Sequence, residues 1–86
     1  MKKSIYSKHN DIFLQELKKA RADAGLSQID LAKKLKSTQS IVSKGERGER
    51  RIDVIELRHW LIALGTTLPE FAEDLESALG TRRRRG

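Results

Sequence analysis

Residues 27–47, SQIDLAKKLKSTQSIVSKGER, contain two short helical patterns separated by too few residues for anything but a sharp turn. Ser27, followed three residues later by Asp30, forms the capping signature that begins a helix. The chain must turn after this helix, at Lys36 and Ser37. The stretch therefore predicts a helix-turn-helix.

The two helices of this pair are expected to present different faces. The first has an apolar stripe suited to a protein core, formed by Leu31, Ala32 and Leu35. The second runs from about Thr38 to Glu46, and Val42 is its only strongly buried candidate. Its outward residues are amides, hydroxyls, one isoleucine and one lysine, namely Gln39, Ser40, Ile41, Ser43 and Lys44. A face of this kind can bond to base edges in a major groove, as a recognition helix does.

Helix 1 is expected on the N-terminal side of the pair. It is predicted to begin near Lys8 to Asn10, with Ser7 as its cap, and to stop at Gly25. Leu26 is placed to fold back on its last turn. Its apolar residues recur at helical spacing and are expected to face the core: Phe13, Leu17, Ala20 and Ala24.

Two more helices are predicted after the pair. Asp53 with Glu56 opens helix 4, Gly65 closes it, and Thr67 with Glu70 opens helix 5. The expected core residues are Val54, Leu57, Leu61 and Leu64 in helix 4, and Phe71, Leu75 and Leu79 in helix 5. No segment alternates in the way a strand does. The sequence therefore predicts an all-α fold, one compact five-helix domain over residues 1–80.

The composition argues against an enzyme or a membrane protein. The chain has 86 residues and no cysteine, so neither disulfides nor thiolate chemistry is available. His9 and His59 lie far apart without carboxylate partners at ligand spacing, and we expect no catalytic site, metal or cofactor. No apolar run approaches the ~20 residues that span a bilayer, and no signal-peptide core follows the first lysines. We expect a cytoplasmic protein.

The net charge of +6 is unevenly distributed along the chain. Residues 1–26 carry +3 and residues 27–51 carry +4, whereas residues 52–80 carry −5. One face should therefore attract DNA and another repel it. Residues 81–86 carry +4 and no apolar side chain, and they are predicted to be a disordered basic tail, either simply solvated or tracking phosphates.

Several short segments match one family pattern: Gly25-Leu26-Ser27-Gln28, Leu31-Ala32, Gln39-Ser40, Val42-Ser43-Lys44 and Glu46-Arg47-Gly48-Glu49-Arg50. Through them the chain resembles the lambda-repressor-like, Cro-type family of prokaryotic and phage regulators, also called the XRE family. The resemblance implies a lambda-repressor-like DNA-binding domain. Two positions depart from the pattern. Lys36 replaces the usual turn glycine, so a side chain is expected in a left-handed conformation at a cost of ~1 kcal/mol. Gly45 replaces a large apolar or aromatic residue, which is expected to remove a core anchor and to weaken the last turn of the recognition helix by ~1 kcal/mol.

The resemblance carries the family's base-reading positions over to Gln39, Ser40 and Lys44. The Gln39 amide can bond to adenine N6 and N7 at once, because it lies at the start of the recognition helix. Lys44 is equally expected to contact a guanine or a phosphate. Ile41 is the fourth base-contact candidate, and it can equally pack against helix 2 instead of a thymine methyl group.

A second set of residues is predicted to contact the DNA backbone: Gln28, Thr38, Ser43, Arg47, Arg50 and Arg51. Gln28 is the first residue of helix 2, where backbone N–H groups and the helix dipole suit a phosphate. The hydroxyls and arginines surround the recognition helix on both sides. For the arginines, the alternative is pairing with Glu46 or Glu49.

Apolar residues of helices 4 and 5 exceed what one small core needs, in particular Trp60, Ile62, Leu68 and Leu79. They predict either that Trp60 fills space beside the alanines of helix 1 or that a homodimer forms through helices 4 and 5. We expect a dimeric, sequence-specific regulator that binds double-stranded DNA, most simply a repressor or autoregulator. The alternatives are an antitoxin or a restriction-system controller with a protein partner, and a protein-interaction module without DNA binding.

Overall fold

The computed structural model describes residues 5–80, which form five helices and contain no strand. The helices are α1 (Ile5–Asp23), α2 (Gln28–Leu35), α3 (Gln39–Glu46), α4 (Val54–Ala63) and α5 (Leu68–Leu79). The five predicted helices and the all-α fold class are confirmed. The predicted tail, residues 81–86, lies outside the described residues.

The helix beginnings follow the capping residues in the sequence. Ser27 Oγ accepts a hydrogen bond from Asp30 N at 3.0 Å, and Asp30 Oδ2 accepts one from Ser27 N at 3.1 Å. Both hydrogen bonds of the predicted capping box are therefore present. The one that Ser27 N donates to the carboxylate holds the pKa of Asp30 below its ordinary value. Asp53 and Thr67 cap α4 and α5 in the predicted places.

The turn between α2 and α3 contains the strain expected from the sequence. Lys36 adopts a left-handed conformation with φ 56° and ψ 45°. A lysine in this region costs about 1 kcal/mol relative to the glycine that such a position favours. Thr38 then caps α3, because its Oγ1 accepts from Ile41 N at 3.2 Å.

The predicted beginning of α1 is wrong. Ile5 is already helical, so Ser7 lies inside the helix and is not its cap. A serine is a weak indicator of a cap when the residues before it can also be helical. The end of α1 is as predicted, with Gly25 at φ +74° and Leu26 N bonded back to Arg21 O at 3.3 Å.

The core lies between α1, α4 and α5 on one side and the helix-turn-helix on the other. Its buried apolar residues are Leu17, Leu31, Ala32, Val42, Leu57, Trp60, Leu61, Leu64 and Phe71. Phe13 packs edge-on against Phe71, with ring centroids 5.9 Å apart, and so joins α1 to α5. Ala20 and Ala24 line a small cavity with Leu64 and Phe71.

Trp60 is buried to 2% exposure, and its ring lies against Gly45 of α3. A Cβ atom at Gly45 would lie 3.1 Å from Trp60 Cη2 and 3.1 Å from Ile52 Cδ1. The expectation that Gly45 removes a core anchor is therefore wrong. The indole occupies the volume that a larger residue would need, which also rules out Trp60 as part of an exposed dimer surface.

The prediction that Val54 belongs to the core is wrong, because its side chain is 59% exposed. It is the first residue of α4 and lies at the edge of the arc that Leu57, Leu61 and Leu64 turn toward the core. Ile55 and Ile62 are also exposed, at 62% and 53%. Three large apolar residues are therefore exposed on the outward side of α4, where Arg58 and His59 are exposed between them. We call Val54, Ile55 and Ile62 the α4 patch.

The packing of Trp60 predicts that Gly45→Leu destabilises the domain. The added side chain must displace the indole or Ile52, and overpacking of this kind costs roughly 1–3 kcal/mol in free energy of unfolding. Urea unfolding of the variant would measure this. Combining it with Trp60→Ala should cost less than the sum of the two single changes. A rise in stability on introducing Gly45→Leu would contradict the packing described.

Candidate nucleic-acid interface

The outward face of α3 has the predicted polar character. Gln39, Ser40 and Lys44 are exposed, with Gln39 at the first position of the helix and Lys44 one turn beyond Ser40. Val42 is fully buried and anchors the helix to the core. The three exposed side chains therefore form a short polar row on the free side of the helix.

Two other predicted contact residues of α3 are only half-buried. Ile41 lies beside the α2–α3 turn and α4, where it lines a groove with Leu35 and Trp60. Ser43 Oγ is hydrogen-bonded to Arg47 Nη1. Ile41 thus packs partly against protein, and Ser43 serves to position an arginine.

The inner side of α3 carries a buried charge that the sequence reading did not anticipate. Glu46 is 2% exposed, and its carboxylate is bound by the guanidinium of Arg21 from α1. Arg21 Nε lies 2.6 Å from Glu46 Oε2, and Arg21 Nη2 lies 3.0 Å from Glu46 Oε1. Arg21 Nη1 also donates to Leu26 O at 2.9 Å. The hydrogen bond to Glu46 raises the pKa of Arg21 above its ordinary value.

This ion pair continues as a chain of hydrogen bonds to the surface. Gln28 Nε2 donates to Glu46 Oε1 at 2.9 Å, and Gln39 Nε2 donates to Gln28 Oε1 at 2.9 Å. This series of hydrogen bonds joins the start of α2, the start of α3 and the end of α3. It leads from a buried carboxylate to an exposed amide, and we call Arg21, Glu46, Gln28 and Gln39 the polar relay.

Both charged members of the relay occupy core-facing positions in the sequence. Glu46 follows the buried Val42 by four residues, and Arg21 follows the buried Leu17 by four. Residues four apart lie on the same side of a helix. An acid and a base on two apolar stripes therefore indicate a buried ion pair in the sequence itself.

Arg47 and Arg50, which are among the predicted phosphate-binding arginines, are paired with carboxylates in the structure. Arg47 Nε and Nη2 donate to the two carboxylate oxygens of Glu49 at 2.9 and 3.1 Å, which lowers the pKa of Glu49. Arg50 Nη1 is paired with Glu56 of α4, a partner that the sequence did not suggest. Arg51 is exposed beside them. A phosphate would have to share Arg47 and Arg50 with these acids.

The remaining predicted backbone contacts lie near the beginnings of α2 and α3. Thr38 is exposed, and its hydroxyl oxygen accepts the capping hydrogen bond, which leaves its O–H available to donate. Gln28 is half-buried, and both ends of its amide already belong to the polar relay. One N–H of that amide is left for a phosphate.

The surroundings of α3 are basic and those of α5 acidic. Exposed cations near the helix-turn-helix are Lys33, Lys34, Lys36, Lys44 and Arg47. Exposed acids on α5 are Glu70, Glu73, Asp74 and Glu76.

Within residues 5–80, no group of three or more histidine, aspartate or glutamate side chains converges in a way that could hold a metal ion. In the same range, no helix is both long and apolar enough to cross a membrane.

Comparison with known proteins agrees with this geometry. A helix-turn-helix family model matches residues 17–71, from the middle of α1 to the start of α5. The chain belongs to the XRE family of helix-turn-helix proteins. A solved structure of an XRE-family like protein from Pseudomonas syringae pv. tomato str. DC3000 has 38% sequence identity and a TM-score of 0.78. The alignment covers 85% of this chain and 89% of that one. No curated protein matches the chain.

XRE-family membership confirms the lambda-repressor-like fold that the sequence motifs implied. The family is one of DNA-binding regulators and is generally non-enzymatic. The chain is accordingly a helix-turn-helix DNA-binding protein, with α3 in the position of the recognition helix.

The burial of Glu46 predicts strong coupling with Arg21 in the free energy of unfolding. Arg21→Met and Glu46→Met should each cost about 3 kcal/mol, because each leaves one charge without its partner. The double variant should cost less than either single change. Urea unfolding of the three variants gives the coupling free energy. The same three changes at the exposed pair Lys19 and Asp23 are the control, and no coupling is expected between these two residues. Additive losses for Arg21 and Glu46 would contradict the assignment.

The pairing of Arg47 predicts that Glu49→Gln strengthens binding to any DNA. The change frees the guanidinium for a phosphate, and one additional contact adds about 0.9 to the magnitude of the salt slope. Titrations of random-sequence DNA at several salt concentrations measure this slope. Glu73→Gln on α5 makes the same charge change on the acidic side and is the control. Equal effects of the two changes would show that Glu49 does not restrain Arg47.

Proposed function

We propose that the protein is a transcriptional regulator that binds double-stranded DNA sequence-specifically as a dimer, most simply as a repressor or autoregulator in the cytoplasm. The observation that carries the proposal is the exposed row of Gln39, Ser40 and Lys44 on a helix whose other side is fixed by Val42 and Glu46. A rigidly held helix with an outward polar face is suited to a major groove.

Base contacts are assigned to α3. Gln39 reads an adenine through N6 and N7, and Ser40 beside it donates to or accepts from a neighbouring base. Lys44, one turn further on, takes a guanine or a phosphate. Ile41 is half-buried, so the part of its side chain that remains exposed is what a thymine methyl group would meet.

Backbone contacts are assigned to the residues around this helix. Thr38 and the start of α2 at Gln28 meet phosphates on one side of the groove, and Ser43 contributes through Arg47. Arg47, Arg50 and Arg51 lie in the turn and connector after α3 and meet phosphates on the other side. These contacts set affinity and register and carry no sequence information.

A second copy of the chain is the proposed occupant of the α4 patch. Ile55 and Ile62 lie seven residues apart on the side of α4 opposite the core, so two copies can pair these residues about a two-fold axis. A single α3 covers only a few base pairs, and a symmetric dimer doubles the site. Helix α5 contributes less than the sequence implied, because Leu68 packs against the core and half of the exposed residues of α5 are acidic.

An antitoxin or a restriction-system controller is the alternative function, since both read DNA with this fold. In that case a different protein would cover the α4 patch in some complexes. The basic surroundings of α3 favour DNA binding over a module that only binds proteins.

Base reading predicts that Gln39→Ala weakens binding to the preferred site by ~1–3 kcal/mol and binding to random DNA far less. Arg47→Ala, which removes a phosphate contact, should weaken both alike. Selection from a random DNA pool gives the preferred site, and titration at one fixed salt concentration gives the affinities. Equal losses on both DNAs for Gln39→Ala would refute its role in base reading.

The dimer predicts a mass near twice 9.8 kDa in sedimentation at micromolar concentration. Ile62→Glu should shift the mass to that of the monomer without unfolding the domain, because the side chain is 53% exposed. Ile29→Glu on α2, at 54% exposure, is the matched control and should leave the dimer intact. A wild-type chain that is monomeric both free and on DNA would contradict the proposal.

A further inference from the structure

A cavity of about 220 Å³ lies between α1 and the connector that joins α3 to α4. Its apolar side is formed by Phe13, Leu14 and Ile52, and it is partly open to solvent. A cavity of roughly 150 Å³ is large enough to hold benzene. This cavity, which we call the connector cavity, therefore has room for one ring or a short branched chain together with a polar group.

Two glycines line the connector cavity on the side of α3 and the connector. Gly45 is buried in the last turn of α3, and Gly48 has φ +78° in the turn that follows. A Cβ atom at Gly48 would lie 2.8 Å from Leu14 Cδ1 and 4.0 Å from Asn10 Nδ2. Because neither glycine has a side chain, a molecule in the cavity would lie directly against the backbone at the end of the recognition helix.

The remaining residues that line the cavity are polar, namely Asn10, Arg50 and Arg51, and none in the described part of the chain is acidic. Asn10 is half-buried, and its side-chain amide has no hydrogen-bond partner among residues 5–80. Arg50 donates to Glu56 through Nη1, and a guanidinium has five N–H groups, so donors remain for a second acceptor. An amide and two guanidinium groups beside an apolar wall match a molecule that is apolar at one end and has a carboxylate at the other.

We propose that the connector cavity binds a small organic carboxylate, one with a single ring or a short branched chain. The apolar part lies against Phe13 and Leu14. The carboxylate accepts hydrogen bonds from Asn10 Nδ2 and from the guanidinium of Arg50 or Arg51. An apolar concavity with a few convergent polar groups is the usual form of a small-molecule site. Binding at this site is independent of the proposed function, and only its effect on DNA rests on that function.

The ligand and DNA would use the same arginines. Arg50 and Arg51 are assigned to phosphates in the proposed function, and a ligand carboxylate engages the guanidinium groups that those phosphates require. Ligand and DNA therefore weaken each other's binding by the same factor, as thermodynamic linkage requires. The connector cavity is thus the site at which a small carboxylate releases the protein from DNA.

The experiment titrates the full-length chain with three acids of this class, benzoate, phenylacetate and isovalerate, and follows the backbone amide chemical shifts by NMR. At least one acid should bind saturably with a dissociation constant of about 1 mM or below, which is within reach of a ligand of this size. The shifts should centre on Leu14, Gly45 and Gly48. Acetate lacks the apolar part and benzamide lacks the charge, so each should bind about tenfold more weakly or worse.

Two variants locate the ligand. Asn10→Leu removes the amide at similar side-chain size and should weaken binding about tenfold, because the carboxylate loses one donor. Gln15→Leu, which removes an exposed amide from the same helix, is the matched control and should leave binding unchanged. Leu14→Phe puts a ring into the cavity and should abolish binding; if circular dichroism shows that this variant is unfolded, Asn10→Leu decides.

The effect on DNA is measured by titrating random-sequence DNA with and without the acid that binds best. A saturating concentration should weaken DNA binding about threefold or more relative to the same concentration of acetate, which keeps the ionic strength equal. Asn10→Leu should bind DNA as the wild type does and should require about tenfold more acid for the same effect.

The outcomes separate the site from its effect on DNA. If none of the three acids binds more tightly than acetate, the connector cavity is not a binding site. Binding that persists unchanged in Asn10→Leu and Leu14→Phe would place the acid elsewhere on the basic surface, which also overturns the proposal. An acid that binds at the cavity and leaves DNA affinity unchanged would refute the effect on DNA. A chain that binds no DNA at all would refute the proposed function and would leave the titration with acids as a valid test of the site.

Discussion

The ion pair between Arg21 and Glu46 is the interaction on which the rest of the domain depends. It joins α1 to the last turn of α3, and it reaches α2 through Gln28 and the connecting chain through the Leu26 carbonyl. Taking a carboxylate out of water is costly, and the cost is offset here because each carboxylate oxygen has at least one donor. The geometry that satisfies these donors also fixes how the recognition helix projects from the core. Stability and the presentation of the DNA-reading face are therefore not separate properties of this chain.

The parts of the fold that depend on neighbours in sequence could be predicted, and those that depend on neighbours in space could not. The caps at Ser27 and Asp53 are local, so their residue types were sufficient to place them. The left-handed Lys36 followed from the family pattern, in which a glycine occupies this turn. The contact of Trp60 with Gly45 joins two helices, and periodicity says only that each residue faces inward. The contact of Trp60 with Gly45 is therefore known only from the three-dimensional structure.

The same distinction applies to the candidate site. Helical spacing placed Gln39 and Lys44 outward, which the exposure of α3 confirms. It did not find the carboxylates, because the pairing of Arg50 with Glu56 depends on how the connector folds back along α4. The sequence offers Glu46 as a partner of the neighbouring surface arginines, although its spacing from Val42 puts it on the buried side. A charged residue on an apolar stripe therefore indicates an oppositely charged partner on the apolar stripe of another helix.

The contact of Gly45 with Trp60 limits how the specificity of this domain can be exchanged. A relative with a bulky residue at this position would fill the space from α3, whereas this chain fills it from α4. A whole recognition helix transplanted from such a relative would bring that residue with it and collide with the indole. The outward side chains can be exchanged alone, because Gln39, Ser40 and Lys44 are exposed. In this protein the module for redesign is a row of surface residues and not the helix that carries them.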